Sequence, residues 1–413
     1  MNFEIDQQRL TRELQALSAI SAAPAPVVTR VVFTEADLRA RAVMKQLCSD
    51  AGLAVREDPV GNTFARWVGA EPDLAPVGTG SHIDAIPNAG MYDGTVGVLG
   101  GLEAIRALAR SGYRPRRSVE LVIFTSEEPT RFGIGCLGSR LLAGVLDASA
   151  GESLKDKEGL SLNQARAEAH FTGPLSAVKL PPGYYSAFVE LHIEQGPILE
   201  KKQLEIGIVT AIAAPASLRI WIDGEGGHAG AVLMPDRHDA FLAGAEIALA
   251  IESAARASGS PDTVATTGVC DVFPGAVNSI ASRVRLEVDV RDIDRARRDT
   301  VLREIADATE ATAVSRGVTV RTETMNADAP AQCAAKVVDA LEQACQKRHA
   351  SYQRMISRAY HDSLFMSSVA PAAMLFIPSR GGFSHRPDEY SSPEAIAQGA
   401  LILAETLASL AST

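Results

Sequence analysis

Five short polar strings that close apolar runs constrain this chain more than any other feature. They are Gly80-Ser81-His82-Ile83-Asp84, Tyr92-Asp93-Gly94, Glu127-Glu128, His192-Ile193-Glu194-Gln195-Gly196 and Phe383-Ser384-His385. Each follows or ends a β-branched apolar stretch, so each is expected at a strand end or turn. Three histidines, an aspartate and a paired glutamate are the groups a two-metal hydrolytic centre requires. Such a centre needs neutral imidazoles and carboxylates as ligands, one carboxylate to bridge the ions, and a spare carboxylate as base. If His385 is to join His82, the chain must return late to the domain in which it began.

With 413 residues the chain exceeds what one hydrophobic core usually serves, so two domains are expected. Residues 34–52 have helical spacing behind Thr34, and Gly94 to Arg110 reads as an apolar helix pressed on a sheet. The run Ser118–Thr125 reads as a buried strand that delivers Glu127 and Glu128 at its carboxyl end, where open α/β sheets place ligands. Residues 145–183 are weakly patterned and read as a peripheral helix and loops. Around 209–212 the texture changes to alternating strands and amphipathic helices. The expected organisation is α/β: a discontinuous catalytic domain, 1–208 and 326–413, around an inserted α+β domain, 209–325.

The formal net charge is -10 and aromatic residues are 5% of the chain. That balance argues against a nucleic-acid partner. Five cysteines without a CxxC pair point to a reducing compartment rather than a disulfide framework. The opening Met1-Asn2-Phe3-Glu4-Ile5-Asp6 has neither a basic nor an apolar leader region, and no uncharged apolar run is long enough to span a bilayer. A cytoplasmic protein without membrane attachment is the expectation.

Residue by residue, two readings stand beside each other. His82 with Asp84 two along either ligates metal with the carboxylate holding its other ring nitrogen, or forms a solvated turn. Asp93 either bridges two ions or caps the helix that follows. Glu127-Glu128 is either a ligand next to a base that takes the proton from the attacking water, or a solvated loop. Two adjacent carboxylates at a buried strand end repel each other unless cations neutralise them, whereas a single pair in a loop needs no such partner; it is the whole set of strings together that points to metal. Arg291 suits bidentate carboxylate binding, or a surface ion pair with Asp292. Asn278 is either an amide donor or an ordinary turn residue.

Taken together, the five strings with Gly226-Gly227-His228-Ala229-Gly230 resemble the M20-type amidohydrolases, in the branch of carbamoylases and allantoate amidohydrolases. The resemblance spans about residues 28 to 410. It implies a zinc-peptidase-like α/β/α catalytic domain, an inserted lid or dimerisation domain, and a homodimer formed through that insert. It also implies two divalent ions per subunit, usually Mn2+, with Zn2+ or Co2+ also accepted. His82, Asp93, Glu128, His192 and His385 would be the ligands, with Asp93 bridging and Glu127 as general base. His228 would reach the partner subunit's site and stabilise the oxyanion, while Gln195, Asn278, Arg291, Tyr360 and His361 would line or support the substrate pocket. Within the branch, Thr125–Ile134, Val209–Ser217 and Ile356–Phe365 resemble the ureidoglycolate amidohydrolases of plants. Tyr360 stands where carbamoylases keep a small residue. A small ureido acid is the expected substrate: ureidoglycolate first, an N-carbamoyl amino acid or allantoate as the alternative.

Overall fold

The computed structural model describes residues 3–413. The chain divides into two compact units. One comprises the chain up to Thr210, Cys333–Ser357 and His361–Thr413; the other comprises Ala211–Gln332 and Arg358–Tyr360.

The first unit is built on a mixed sheet. Four parallel strands lie at its centre in the order Ala372–Ile377, Ala187–Ile193, Val77–His82 and Val119–Phe124. Ile206–Ile212 extends this sheet antiparallel on one side, and Thr63–Trp67 and Ala54–Glu57 extend it on the other. Period-two alternation sends successive side chains to opposite faces. Leu121, Ile123, Val189 and Leu191 enter one core layer, with Leu10, Leu99, Leu341 and Leu403 from the covering helices. Val122, Phe124 and Phe188 enter the opposite layer, with Leu137, Leu141 and Met366. The result is an α/β/α sandwich. On the strand Ala187–Ile193 the second face continues past Phe188 as Glu190 and His192, both fully buried. Polar groups there cannot be explained by packing.

The helix Thr95–Arg110 reaches the sheet through its glycines. A Cβ on Gly97 would stand 2.3 Å from the Leu191 carbonyl oxygen. At the same helix start Gly94 has φ of +65°, and a Cβ there would meet the His82 ring at 2.5 Å. Backbone freedom and closeness to a ring both demand glycine at position 94.

Residues 145–183 depart from the expectation of a peripheral segment. The short helix Leu162–Glu168 brings Leu162 and Ala165 into the second core layer, and the 3-10 turn Leu175–Ala177 with Val178 after it brings Leu175 and Val178; the helix Ala148–Ser153 packs beside them. Helices of six and seven residues are too short for apolar periodicity to register.

The second unit is a four-stranded antiparallel sheet in the order Val264–Phe273, Arg283–Asp292, Ala214–Asp223 and Thr319–Ala327. Helices Ala240–Ala257 and Arg295–Arg316 pack Ile247, Ile251, Val301 and Ile305 against Val284, Leu286, Val288 and Val290. This unit extends further than the expected 209–325. Ala327 still pairs with Ala216, and Gln332 and Ala331 pair with Ala211 and Ile212, so 326–332 belongs to it. Arg358–Tyr360 joins it as well, held by an ion pair from Arg358 to Asp262 and a hydrogen bond from Arg291 to the Arg358 carbonyl. One helix, Pro393–Ala411, is long and apolar enough to cross a membrane by length and composition, yet Ile396, Ile402, Leu403 and Leu407 bury in the first core layer.

Candidate metal centre

The central parallel strands of the first unit end on the same edge, and the polar strings lie there. His82 is opposite Phe124 in register, so Glu127 and Glu128 follow beside it. His192 is opposite Phe376 on the next pair. The loop after Ile377 then carries His385. Three non-glycine residues in this region hold left-handed backbone: Ser126, Gln195 and His385. Strain of this kind, of order 1–3 kcal/mol per residue, persists only where surrounding bonds over-determine the conformation.

Asp93 lies at the centre. Its Oδ1 is 3.2 Å from His192 Nε2 and 3.7 Å from His82 Nε2, while its Oδ2 is 3.1 Å from His385 Nε2. Glu128 Oε1 is 3.4 Å from the same His385 nitrogen. Two donor groups result, His82–Asp93–His192 and Asp93–Glu128–His385, which share Asp93 through its two different oxygens. Donors bound to one ion at about 2.1 Å lie roughly 3.4 Å apart in tetrahedral geometry, so these separations suit a cation. The Asp93 carboxylate does not cap its helix: the N-cap is Gly94, without a side-chain bond. Glu127 and Glu128 do not form a solvated loop either, being 7% and 3% exposed.

Ring tautomers agree with this. His192 Nδ1 lies 2.9 Å from the Ile193 carbonyl and His82 Nδ1 lies 3.0 Å from the Asp84 carbonyl, so each carries its proton there and turns Nε2 inward. The contact to His82 comes from the Asp84 main chain; the Asp84 carboxylate oxygen is 3.6 Å away. That carboxylate instead accepts the amides of Glu127 and Glu128 at 3.2 and 3.1 Å, fixing the peptide that presents both glutamates.

Electrostatics mark the same spot. Burial, reinforced by its carboxylate neighbour Glu128, pushes the Glu127 carboxyl well above the usual range despite the adjacent His82. Burial and Asp93 push Glu128 up to about 7. The hydrogen bond to Asp93 raises His385 to about 9. Asp93 resists the penalty of burial because His192, His385 and His82 hold it ionised, well below its ordinary value. Crowded buried carboxylates of this kind are stabilised by cations, and imidazole with carboxylate suits Mn2+, Zn2+ or Co2+. The donor set therefore fits the ions that the sequence implies.

The other expected site residues divide between the two units. Gln195 donates to Asp93 Oδ2 at 2.9 Å, so its amide steadies that carboxylate. The His361 ring lies 4.4 Å from that of His192, and its Nε2 is 3.1 Å from Ser357 Oγ. In the second unit, His228 is exposed on a two-residue ladder with Ser279, and the Asn278 carbonyl accepts from Ala229. Gly230 N–H donates to His228 Nδ1, which leaves Nε2–H as the outward donor. Arg291 pairs with Asp289 at 2.7 Å, not with Asp292, whose partners are Arg297 and Thr263. Tyr360 lies beside Arg291, with the guanidinium 5.8 Å from the ring centroid.

Several supporting residues escape a reading of the sequence. Arg30 is fully buried and donates to the carbonyls of Leu17, Ile20 and Ile83, bracing the turn after His82. Glu190 accepts from Ser81 Oγ and the Ser363 amide. Glu389 accepts the amides of Tyr92 and Asp93. Only the oddity of a carboxylate inside an apolar strand could have pointed to Glu190; Arg30 and Glu389 look like surface charge.

The fold and this donor set define a metal-dependent hydrolase, and residues 78–409 match the model of peptidase family M20/M25/M40. The chain belongs to that family and is an amidohydrolase acting on carbon–nitrogen bonds. It is 52% identical to ureidoglycolate hydrolase of Arabidopsis thaliana, over 99% of this chain and 87% of that one. It is 39% identical to N-carbamoyl-L-amino acid amidohydrolase of Geobacillus stearothermophilus, over 98% and 99%. The crystal structure of AtUAH in complex with glyoxylate superposes with a TM-score of 0.89 at 51% identity, covering 99% of this chain and 98% of that one.

Proposed function

We propose that this protein hydrolyses ureidoglycolate to glyoxylate, ammonia and carbon dioxide with two divalent ions, Mn2+ as the working metal. The observation that carries the chemistry is Asp93, whose two oxygens face two separate donor groups with Glu127 alongside. His82 and His192 would hold one ion, Glu128 and His385 the other, and Asp93 both. When bound, such ions polarise the carbamoyl carbonyl and favour deprotonation of water. Glu127 Oε takes the proton from the attacking water and later returns it to the leaving nitrogen as the C–N bond breaks. The raised carboxyl of Glu127 suits it to give that proton back. His228 Nε2–H donates to the oxyanion that forms on the former carbonyl oxygen. Arg291 receives the substrate carboxylate through its fork, exchanging part of its pairing with Asp289, and Asn278 adds an amide donor.

Homodimerisation belongs to the same reading, with His228 serving the partner's site. In support, the second unit leaves the large apolar side chains Leu233, Met234, Leu249, Phe273 and Val277 exposed, as a unit that carries an interface would. A cytoplasmic location is in keeping with five unpaired thiols. The substrate choice rests on the plant relatives and on Tyr360 beside Arg291. Initial rates with added Mn2+ on ureidoglycolate, allantoate and several N-carbamoyl amino acids test it. A preference for a carbamoyl amino acid replaces ureidoglycolate by the alternative.

A further inference from the structure

We propose that Glu389 is a positioning residue that clasps the loop carrying Asp93 to the loop carrying His385, and so sets the affinity of one of the two ions. The inference rests on the dinuclear reading above and adds an asymmetry between the two sites.

Glu389 is 4% exposed, although it lies in the strongly charged string His385-Arg386-Pro387-Asp388-Glu389. Both of its oxygens are engaged. Oε1 accepts the main-chain amides of Tyr92 at 2.9 Å and Asp93 at 3.0 Å. Oε2 accepts from Ser384 Oγ at 2.7 Å. Ser384 in turn lies 3.1 Å from Asp93 Oδ2, and Gln195 Nε2 bonds to both, at 3.2 Å to the serine and 2.9 Å to the aspartate. A consistent proton assignment follows. The Gln195 amide donates one proton to Asp93 and the other to Ser384, Ser384 donates to Glu389, and Glu389 receives the peptide that carries Asp93. Gly90 lets this loop approach, since a Cβ there would stand 2.5 Å from Glu389 Cβ.

The clasp matters unequally to the three histidines. His82 and His192 are buried, and each is oriented by a main-chain carbonyl on Nδ1. His385 is half-exposed with left-handed backbone, and its Nδ1 meets no hydrogen-bond partner among the described residues. Its position is therefore inherited from its loop, and Glu389 is the buried group that ties this loop to Asp93 across 296 residues. Loss of the tie loosens the group Asp93–Glu128–His385 and spares His82–Asp93–His192, where the rings are held independently.

Titration of metal-stripped protein with Mn2+, followed by the free-ion magnetic resonance signal, reads this directly. Wild type should take up two ions. Glu389→Ala should keep one at unchanged affinity and bind the second about 10- to 100-fold more weakly, as loss of a group supporting a ligand does. Glu389→Gln retains an oxygen for the two amides and should restore the second ion to within several-fold. Tyr92 and Tyr390 meet edge to face at 5.8 Å and still join the two loops when Glu389 is changed. Should Glu389→Ala not fold, Ser384→Ala cuts the same chain with a smaller change and should weaken only the second ion. Two ions bound as in wild type by either variant, or equal weakening of both, overturns the proposal. Wild type that binds fewer than two ions instead defeats the dinuclear reading itself, and the clasp with it.

Discussion

The residues proposed to hold metal and those proposed to recognise substrate are built to different standards. In the first unit, His82, Asp93, Glu127, Glu128 and His192 are all buried, and their neighbours hold them from several directions. In the second unit, His228 and Asn278 are exposed and Arg291 is only partly buried, paired with Asp289. Buried charges must be paired, so any change among the ligands is expensive. Exposed residues on a separate unit can be exchanged with little cost to folding. On the proposed assignment, that difference places the chemistry where the core is dense and substrate selection where it is not, so selection can change while the hydrolytic centre stays.

The comparison is broken most directly at Glu127. Glu127→Gln should keep its metal yet lose kcat by about 10^3-fold or more, as removal of a general base does. Normal turnover at full metal content would remove Glu127 from the chemistry. His228→Ala comes next, with a loss of about 10^2- to 10^3-fold. Mixing it with Glu127→Gln under subunit exchange should recover part of the rate, because one hybrid site keeps both residues. Exchange without recovery places His228 outside the partner's site.

Tyr360→Gly sharpens the recognition side. It should cut ureidoglycolate turnover by about 10- to 100-fold and raise acceptance of bulkier ureido acids, since a missing hydroxyl partner and an opened volume act in opposite directions on the two substrates. An unchanged ratio of rates would take selectivity away from Tyr360. The smallest effect is on pH. In the metal-free protein Glu128, near 7, and His385, near 9, hold protons that an ion must displace. Apparent Mn2+ affinity should therefore rise from pH 6.5 to 9, by up to about tenfold per unit for each proton released. Calorimetric titrations that give the same affinity across this range contradict that assignment of the ligands.

Much of the centre was legible because its residues break local rules. His82, Glu127, Glu128 and His192 follow strands whose other positions are apolar, and such interruptions stand out in one dimension. Arg291 shows where reading in one dimension misleads. Asp292 is its neighbour in sequence, but alternation sends it to the opposite face, and Asp289, two residues back, shares the face and the ion pair. That the second unit runs past residue 325 is hidden from the sequence for a related reason. Residues 326–332 carry no change of composition, and only pairing with 211–217 assigns them.

The sequence by itself determined the donor types, the strands that end in them and the need for the chain to return at His385, because these depend on side-chain chemistry and short-range periodicity. Only the tertiary structure decided that Asp93 turns both oxygens inward instead of capping its helix, that the Asp84 carboxylate holds the Glu127-Glu128 peptide, and that Glu389 is buried beneath Asp93. Each of those outcomes requires a partner from another segment of the chain, 296 residues distant for Glu389. Burial and hydrogen bonding are properties of the assembled neighbourhood, and a string of residues carries no record of which distant group will arrive.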